Sequence, residues 1–501
     1  MGSVTSNAAV ELLAGNLQLH PEKTAYYCAR KALSYRELYR GCRRFAHLLQ
    51  KQGLVPQERV VVALPDCLAF PVVFLGCILY GAVAVAVGPE LGETELAHII
   101  EECGARVLVT LGAPAMPCSA MGHRVKLIIC DDQGQVVDSG ACDDFDNPYR
   151  PSTGDFAYML FSSGSTGRPK GVPHLHKSLL LPCDLVGKGM LGITGDDLIF
   201  SSSKFPFAYG LINSLAFPLR FGATALLHPG RPDPLALLDI IRSYSPSIFF
   251  SVPSVFAHIL LSCGERELKL PMRLCCSAGE ALPVPLFEEW QRLTGLEILD
   301  GIGSTEMAYH FIANLPGRAV AGSAGRLVPG YRARLVDDDG NDVPSGEEGN
   351  LLIAGPTRTP CYWNRPEKSA ETFLPDGFMK SGDIFVERDG FYYYRGRSDD
   401  MIKSGACWVS PSMVEDALAS HPAVAECAVA AVKVGAFNRP GAFVVLTPGT
   451  KQSPALAREL KSHIMARLPD YMCPVRFRFI AELPRTSTGK VRRFLLREQI
   501  A

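Results

Sequence analysis

Short apolar runs recur along the first 300 residues, each followed by a helical pattern, and this alternation constrains the fold most strongly. RVVVALP (59–65) and ARVLVTL (105–111) carry no polar face, so strands there must be covered on both sides. Between them TELAHIIEECG (94–104) predicts an amphipathic helix stopped by a glycine. DLIFSSS, ATALLH and SIFFSVPS repeat the theme between 195 and 300. Strands alternating with helices imply β-α-β units and a mainly parallel sheet. Phe70 to Val87 is eighteen residues without a charge, at the lower edge of a membrane span. Pro71, Gly76 and Gly81 interrupt it, so the spelling predicts a buried helix, a turn at Gly81 and a buried parallel strand.

From about 320 the texture changes to short strands and turns. Asp339-Gly340, Ser345-Gly346 and Glu348-Gly349 punctuate it as hairpins do. Beyond the polar break at Ser398-Asp399-Asp400 the alternation returns: SPSMVEDALASHP and ALARELKSHIMARLP as helices, AECAVAAVKV as a strand. The expected architecture is α/β. A large domain over 1–397 holds mainly parallel αβα sheets plus a β-rich subdomain, and 398–501 forms a small α/β domain.

A content of 47% hydrophobic and 20% charged residues is that of an ordinary globular enzyme. The formal net charge of −1 supplies no field to favour nucleic acid or an anionic membrane. Sixteen cysteines without a C-x-x-C pair point to reduced, buried thiols and a cytoplasmic protein. The start shows no basic segment leading into an apolar one, so no secretory signal is expected; Met1–Ser6 spells the short myristoylation pattern, which carries little weight alone.

Residues 161–174 read FSSGSTGRPKGVPH, directly after the apolar run Phe156–Phe161. Glycine tolerates positive φ, so backbone N–H groups at Gly164 and Gly167 can converge on an anion. Hydroxyls of Ser162, Ser163, Ser165 and Thr166 add donors and Lys170 adds charge. The expected guest is a polyphosphate. A Walker A loop is excluded, because Arg168-Pro169 intervenes before the lysine, and no G-x-G-x-x-G follows the strand. The competing reading, a flexible linker, requires neither the incoming strand nor the Pro169-Lys170-Gly171 ending.

Four further islands join this loop: SAGEALP (277–283), DGIGSTEM (300–307), KSGDIF (380–385), with Asp383 in a turn, and PRTSTGK (484–490). Together, in this order, they resemble the ANL adenylating superfamily of acyl- and aryl-CoA ligases, adenylation domains and luciferases. KFPFAYGLINSLAFPL (204–219) with DGIGSTEM is most similar to the benzoate-CoA ligase group, Ile302 standing where fatty-acid ligases carry an aromatic residue. The resemblance implies that a carboxylate attacks Mg-ATP to give acyl-AMP, which coenzyme A then converts to a thioester. Lys490 would stabilise the developing charge, Thr305 would donate to the α-phosphate and Glu306 would hold Mg²⁺. Asp383 and Arg397 would bind the ribose. Asp300, Gly301, Ile302, Gly303 and Ser304, with Gly279-Glu280, would line the nucleotide site.

In that superfamily the small C-terminal domain is mobile, and Asp399 matches its hinge. Lys403, Gly405, Ala406 and Trp408 would line the coenzyme A tunnel, with Ala406 in place of the usual glycine. The residues matching the acyl pocket are Ala208, Tyr209, Gly210, Ala278, Gly303, Ala308, Tyr309 and His310. None is a carboxylate that would meet an amino-acid ammonium, so an uncharged aromatic acid is expected. Benzoate-type ligases read Leu-His where this chain reads Ala308-Tyr309, which leaves room for a ring substituent, as in anthranilate (aminobenzoate) or hydroxybenzoate. Tyr209 or Tyr309 would bind that substituent. Rival readings remain open: an aryl-AMP ligase loading a separate acyl carrier protein, a luciferase-type oxidoreductase, and a non-catalytic nucleotide-binding protein. Homodimers are common among the ligases it resembles.

Overall fold

A computed structural model describes residues 6–112, 125–132, 145–163, 169–230, 233–263, 268–404, 407–434, 437–485, 491–493 and 495–496. Two mainly parallel sheets dominate. The six-stranded one runs Lys126–Cys130, Val107–Leu111, Arg59–Ala63, Val83–Ala86, Phe156–Ser163 and Pro169–Leu175. Its neighbours are parallel except the last pair, Phe156–Ser163 with Pro169–Leu175, which is antiparallel. The nine-stranded one has a parallel centre, with Thr24–Cys28, Thr224–Leu227, Leu198–Ser201, Ile248–Ser251, Leu274–Ser277 and Ile298–Gly303 side by side in that order. Antiparallel strands close both edges.

The uncharged stretch forms the helix Ala69–Tyr80, buried at every residue, which Gly81 ends at φ 95° before the strand Val83–Ala86. Its partner Tyr35–Lys51 starts in a capping box between Ser34 and Glu37. The two helices pack so closely that a Cβ at Gly76 would lie 2.9 Å from the Cys42 carbonyl oxygen. Among the described residues no helix is long and apolar enough to cross a membrane.

The β-rich region is a four-stranded antiparallel sheet of Arg332–Val336, Glu348–Ala354, Met379–Arg388 and Phe391–Arg397. Two local expectations change here. Gly349 is no turn residue: it lies inside Glu348–Ala354, where a Cβ would press on Leu335 and Val343. Asp383 also stands within a strand, paired with Arg397, because the ten-residue strand accommodates Gly382 at φ 74° beside a register shift. After a 3-10 turn at Ser398–Asp400, the described residues of 402–479 build a two-stranded sheet, a three-stranded sheet and the α-helices Pro411–Ala419 and Pro454–Met465. Ile402, Val414, Leu418, Val444 and Leu460 form a core there, separate from the large one.

Candidate active site

The segment 301–310 organises the site. Strand Ile298–Gly303 delivers it, and the Ser304 side chain caps a 3-10 turn by accepting from the Met307 N–H, which sets Thr305 and Glu306 side by side. Across from them the hairpin places Ser162 opposite Lys170. Lys170 Nζ lies 3.3 Å from Glu306 Oε1 and 3.8 Å above the Tyr362 ring, and the Tyr362 hydroxyl donates to Glu306 Oε1 at 2.8 Å. Burial alone would raise the Glu306 pKa; Lys170 and Tyr362 outweigh it and hold the carboxyl below its ordinary value. Burial lowers the Lys170 pKa, with Glu306 opposing. The Ser162 hydroxyl is buried and finds no hydrogen-bond partner, as a donor kept for a ligand would be.

On a second side, Arg397 donates to Asp383 Oδ1 at 2.9 Å and to the Ser381 carbonyl. A Cβ on Gly382 would lie 2.8 Å from that guanidinium, so the close approach depends on glycine as much as the positive φ does. Asp300 is buried within the strand Ile298–Gly303, opposite Ser277, its carboxyl pushed up to about 8 by burial, and its Oδ1 has no hydrogen-bond partner. Glu280 reaches the C-terminal region through Arg485, at 3.3 Å; Arg485 also bonds Glu426, which is held by His258 at 3.1 Å.

The third side is aromatic. Tyr209 stacks on Tyr309 and His310 at ring-centroid distances of 5.8 and 5.3 Å, while Phe217 meets Tyr309 edge-on at 5.2 Å. A π-helical turn, Ile212–Ala216, interrupts the helical stretch after Tyr209 and carries Asn213, whose Oδ1 accepts from the Tyr309 hydroxyl at 2.5 Å. Gly303 lets the chain double back: a Cβ there would sit 2.5 Å from the Tyr309 carbonyl oxygen. Ala308 is fully buried at φ 61°, as the C-cap of the 3-10 turn. Burial pushes His310 down to about 3, so its imidazole is neutral.

Comparison with known proteins matches residues 13–363 to the AMP-binding enzyme family and 413–490 to the AMP-binding enzyme C-terminal domain. The chain belongs to the AMP-binding enzymes. It is 40% identical to a benzoate–CoA ligase of Thauera aromatica, over 98% of this chain and 95% of that one. A benzoate CoA ligase from Burkholderia xenovorans LB400 superposes with a TM-score of 0.92 at 38% identity, covering 98% and 100% of the two chains. An anthranilate CoA ligase solved with anthranoyl-AMP also gives 0.92, at 34% identity, covering 100% and 99%.

Within this AMP-binding enzyme, the structure brings several of the residues expected from sequence together. Ser162, Lys170, Thr305 and Glu306 share one corner, Asp383 with Arg397 another, and Tyr209, Gly303, Ala308, Tyr309 and His310 lie along the aromatic side, with Ala208 and Gly210 flanking Tyr209 in the short helix Ala208–Leu211. Ala278 stands just past the strand Leu274–Ser277, next to the positive-φ Gly279. Gly164, Ser165, Thr166, Gly167, Gly405, Ala406 and Lys490 lie outside the described residues, as do the side chains of Ser163, Asp399, Lys403 and Trp408. Tyr362 and Asn213 were not expected. Tyr362 stands 56 residues from Glu306 in sequence, and only the tertiary hydrogen bond shows the link. For Asn213, a lone amide four positions after Tyr209 in a helical, apolar run was the available signal.

Proposed function

We propose that this protein is an ATP-dependent aryl-CoA ligase that joins an aromatic carboxylic acid to coenzyme A through an aryl-AMP intermediate. The observation that carries this reading is the continuity of residues 304–310. Thr305 and Glu306 face the lysine-bearing hairpin, and Tyr309 and His310, a few residues on, enter an aromatic enclosure. A carboxylate on a ring held there would stand next to groups suited to the α-phosphate, which converts a reaction between two anions into one within a single site.

In the first half-reaction the carboxylate oxygen bonds the α-phosphorus and the bond to pyrophosphate breaks. In the second the thiol sulfur bonds the acyl carbon and AMP leaves. Thr305 and Ser162 would donate to phosphate oxygens, and Lys170 would hold the departing pyrophosphate. Asp383 would accept from the ribose hydroxyls, with Arg397 orienting it. Lys490 is assigned to the developing charge by resemblance. Mg²⁺ binds through one or two carboxylates and substrate phosphates, and Glu306, shielded beside Lys170, is the carboxylate that would hold it here and help neutralise phosphate charge.

The separate core after residue 400 supports a division at 397/398 with the hinge at Asp399. A small substituent on the ring, as in anthranilate or hydroxybenzoate, agrees with Ala308 in the acyl wall. Free coenzyme A is the acceptor in this reading; a carrier protein's phosphopantetheine, a homodimeric state and a cytoplasmic location remain parts of it to be tested. The test is pyrophosphate release and thioester formation from benzoates, fatty acids and amino acids, with and without coenzyme A. Benzoates alone should give both products. Release from every class, or from none, contradicts the assignment, and release without thioester moves the acceptor to a carrier.

A further inference from the structure

A small cavity bordered by Tyr309 and His310 has room for about one water-sized group. Val186, from the π-helical turn Cys183–Lys188, and Phe250 and Leu299, from the central strands, make its apolar wall. Three side chains with nitrogen or oxygen atoms border it, Tyr309, His310 and Asn314, beside the weakly hydrogen-bonding thiol of Cys276. Buried polar groups are almost always paired, so their partners can be accounted for one by one.

Asn314 is fully committed. Its amide nitrogen donates to the Asp300 and Ser323 carbonyls, and its oxygen accepts from the Val320 N–H. The Tyr309 hydroxyl is committed as well, since its proton goes to Asn213 Oδ1. His310 is different. It is 6% exposed, its Nε2 has no hydrogen-bond partner, and Gly301 is needed to admit its ring, because a Cβ there would lie 2.9 Å from Nδ1. Tyr209, stacked on the same imidazole, also has a buried hydroxyl outside hydrogen-bond geometry, near the unpartnered Asn213 amide nitrogen.

We propose that His310 is the specificity-determining residue for a single-heavy-atom polar substituent, a hydroxyl or amino group, on the aromatic acid. Tyr309, which the sequence offered for this task, is instead a wall fixed by Asn213. The inference rests on the aryl-CoA ligase reading and deepens it. A neutral imidazole exchanges a hydrogen bond with an O–H or N–H group but supplies no counter-charge. A second carboxylate on the ring is therefore excluded, both by charge and by the size of the cavity.

The test compares kcat/KM for pyrophosphate release with benzoate, the three hydroxybenzoates, the three aminobenzoates and phthalate, in the wild type, His310→Leu and Tyr309→Phe. The wild type should prefer one hydroxy or amino isomer to benzoate by about tenfold or more, because a site built for a hydrogen bond discriminates strongly against its absence. Hydroxyl against amino is decided by which isomer leads. His310→Leu should abolish that preference by lowering kcat/KM for the substituted acid about tenfold more than for benzoate, and Tyr309→Phe should keep the ratio. Equal losses for benzoate and the substituted acid in His310→Leu would mean a structural role only and overturn the proposal. So would loss of the preference in Tyr309→Phe, or a wild type that favours benzoate. If no aromatic acid releases pyrophosphate, it is the ligase reading that fails. Should His310→Leu not fold, a crystal structure of the wild type with its preferred acid decides. The substituent lies within hydrogen-bond distance of Nε2, or the proposal is wrong.

Discussion

Replacing Lys170 by methionine keeps an unbranched side chain one atom shorter and removes the charge facing Glu306. The two charged atoms stand 3.3 Å apart, with side chains 22% and 13% exposed. At an effective dielectric of about 20 their attraction is about 5 kcal/mol, a gross value that desolvation of both groups largely offsets. What the single substitution exposes is the cost of a shielded carboxylate without its cation, about 3–5 kcal/mol in a fully buried setting. Tyr362 still donates to Glu306 and the site is not fully closed, so about 2–3 kcal/mol is the expected loss. With an unfolding entropy of about 2.1 cal/mol/K per residue over a cooperative unit of about 350 residues, that lowers the melting temperature by about 3–4 °C. Lys170→Met with Glu306→Gln removes both charges and should recover most of the loss. The assay is thermal unfolding of the wild type, both single variants and the double variant at pH 7. A double variant as unstable as the sum of its parents would refute the reasoning, because it would show that the pair does not interact.

Three further outcomes follow from the same geometry. Gly303→Ala should cut kcat/KM for adenylation by about a hundredfold or more, since its Cβ would lie 2.5 Å from the Tyr309 carbonyl oxygen and displace the turn between the phosphate and ring ends; unchanged kinetics would contradict the tight crossing. Asp383→Asn should raise the KM for ATP about tenfold or more and leave the KM for the acid within a few-fold, as loss of a charged acceptor for the ribose requires; equal effects on both substrates would contradict its placement. Bonding first to His258, and then to Arg485, carries Glu426 down to about 2, so its stabilisation is complete above the ordinary carboxylate value and is lost as the pH falls from about 4.5 toward 2. His258 is shifted upward by the same contact, so its contribution is complete below about 6.5 and lost as the pH rises through its raised value. Glu426→Gln should therefore lower the melting temperature more at pH 5.5 than at pH 9, and an equal effect at both would contradict the pairing.

Much of the scaffold was legible because its signals are local. The apolar runs at 59–65 and 105–111, the helix ending at Gly104 and the helix-turn-strand around Gly81 follow from periodicity and glycine placement, and the structure contains each. Asp383 was misplaced in a turn because Gly382 carries the same local signal at a strand irregularity as in a hairpin; cross-strand pairing with Arg397 decides between them. The cluster of Lys170, Glu306 and Tyr362 was legible only in part. Two of its members lie in glycine-rich islands, but Tyr362 sits in a proline-flanked segment with no spacing of its own. The pocket showed the same limit. Small and aromatic residues could be read from 208–210 and 308–310, but the exchange of hydrogen bonds that leaves His310 open depends on Asn213, which a π-helical turn brings to Tyr309.

The central claim is that a carboxylate oxygen attacks the α-phosphorus of ATP in this site. Its most direct test uses an aromatic acid labelled with ¹⁸O in the carboxylate, and mass spectrometry of the AMP formed once coenzyme A is added. The account requires one heavy oxygen in AMP, with pyrophosphate unlabelled, since the attacking oxygen stays on phosphorus when the thiol displaces AMP. Unlabelled AMP would mean that water rather than the acid takes the nucleotide, and label in inorganic phosphate would place the attack at the γ-phosphorus. Either result contradicts an aryl-AMP intermediate.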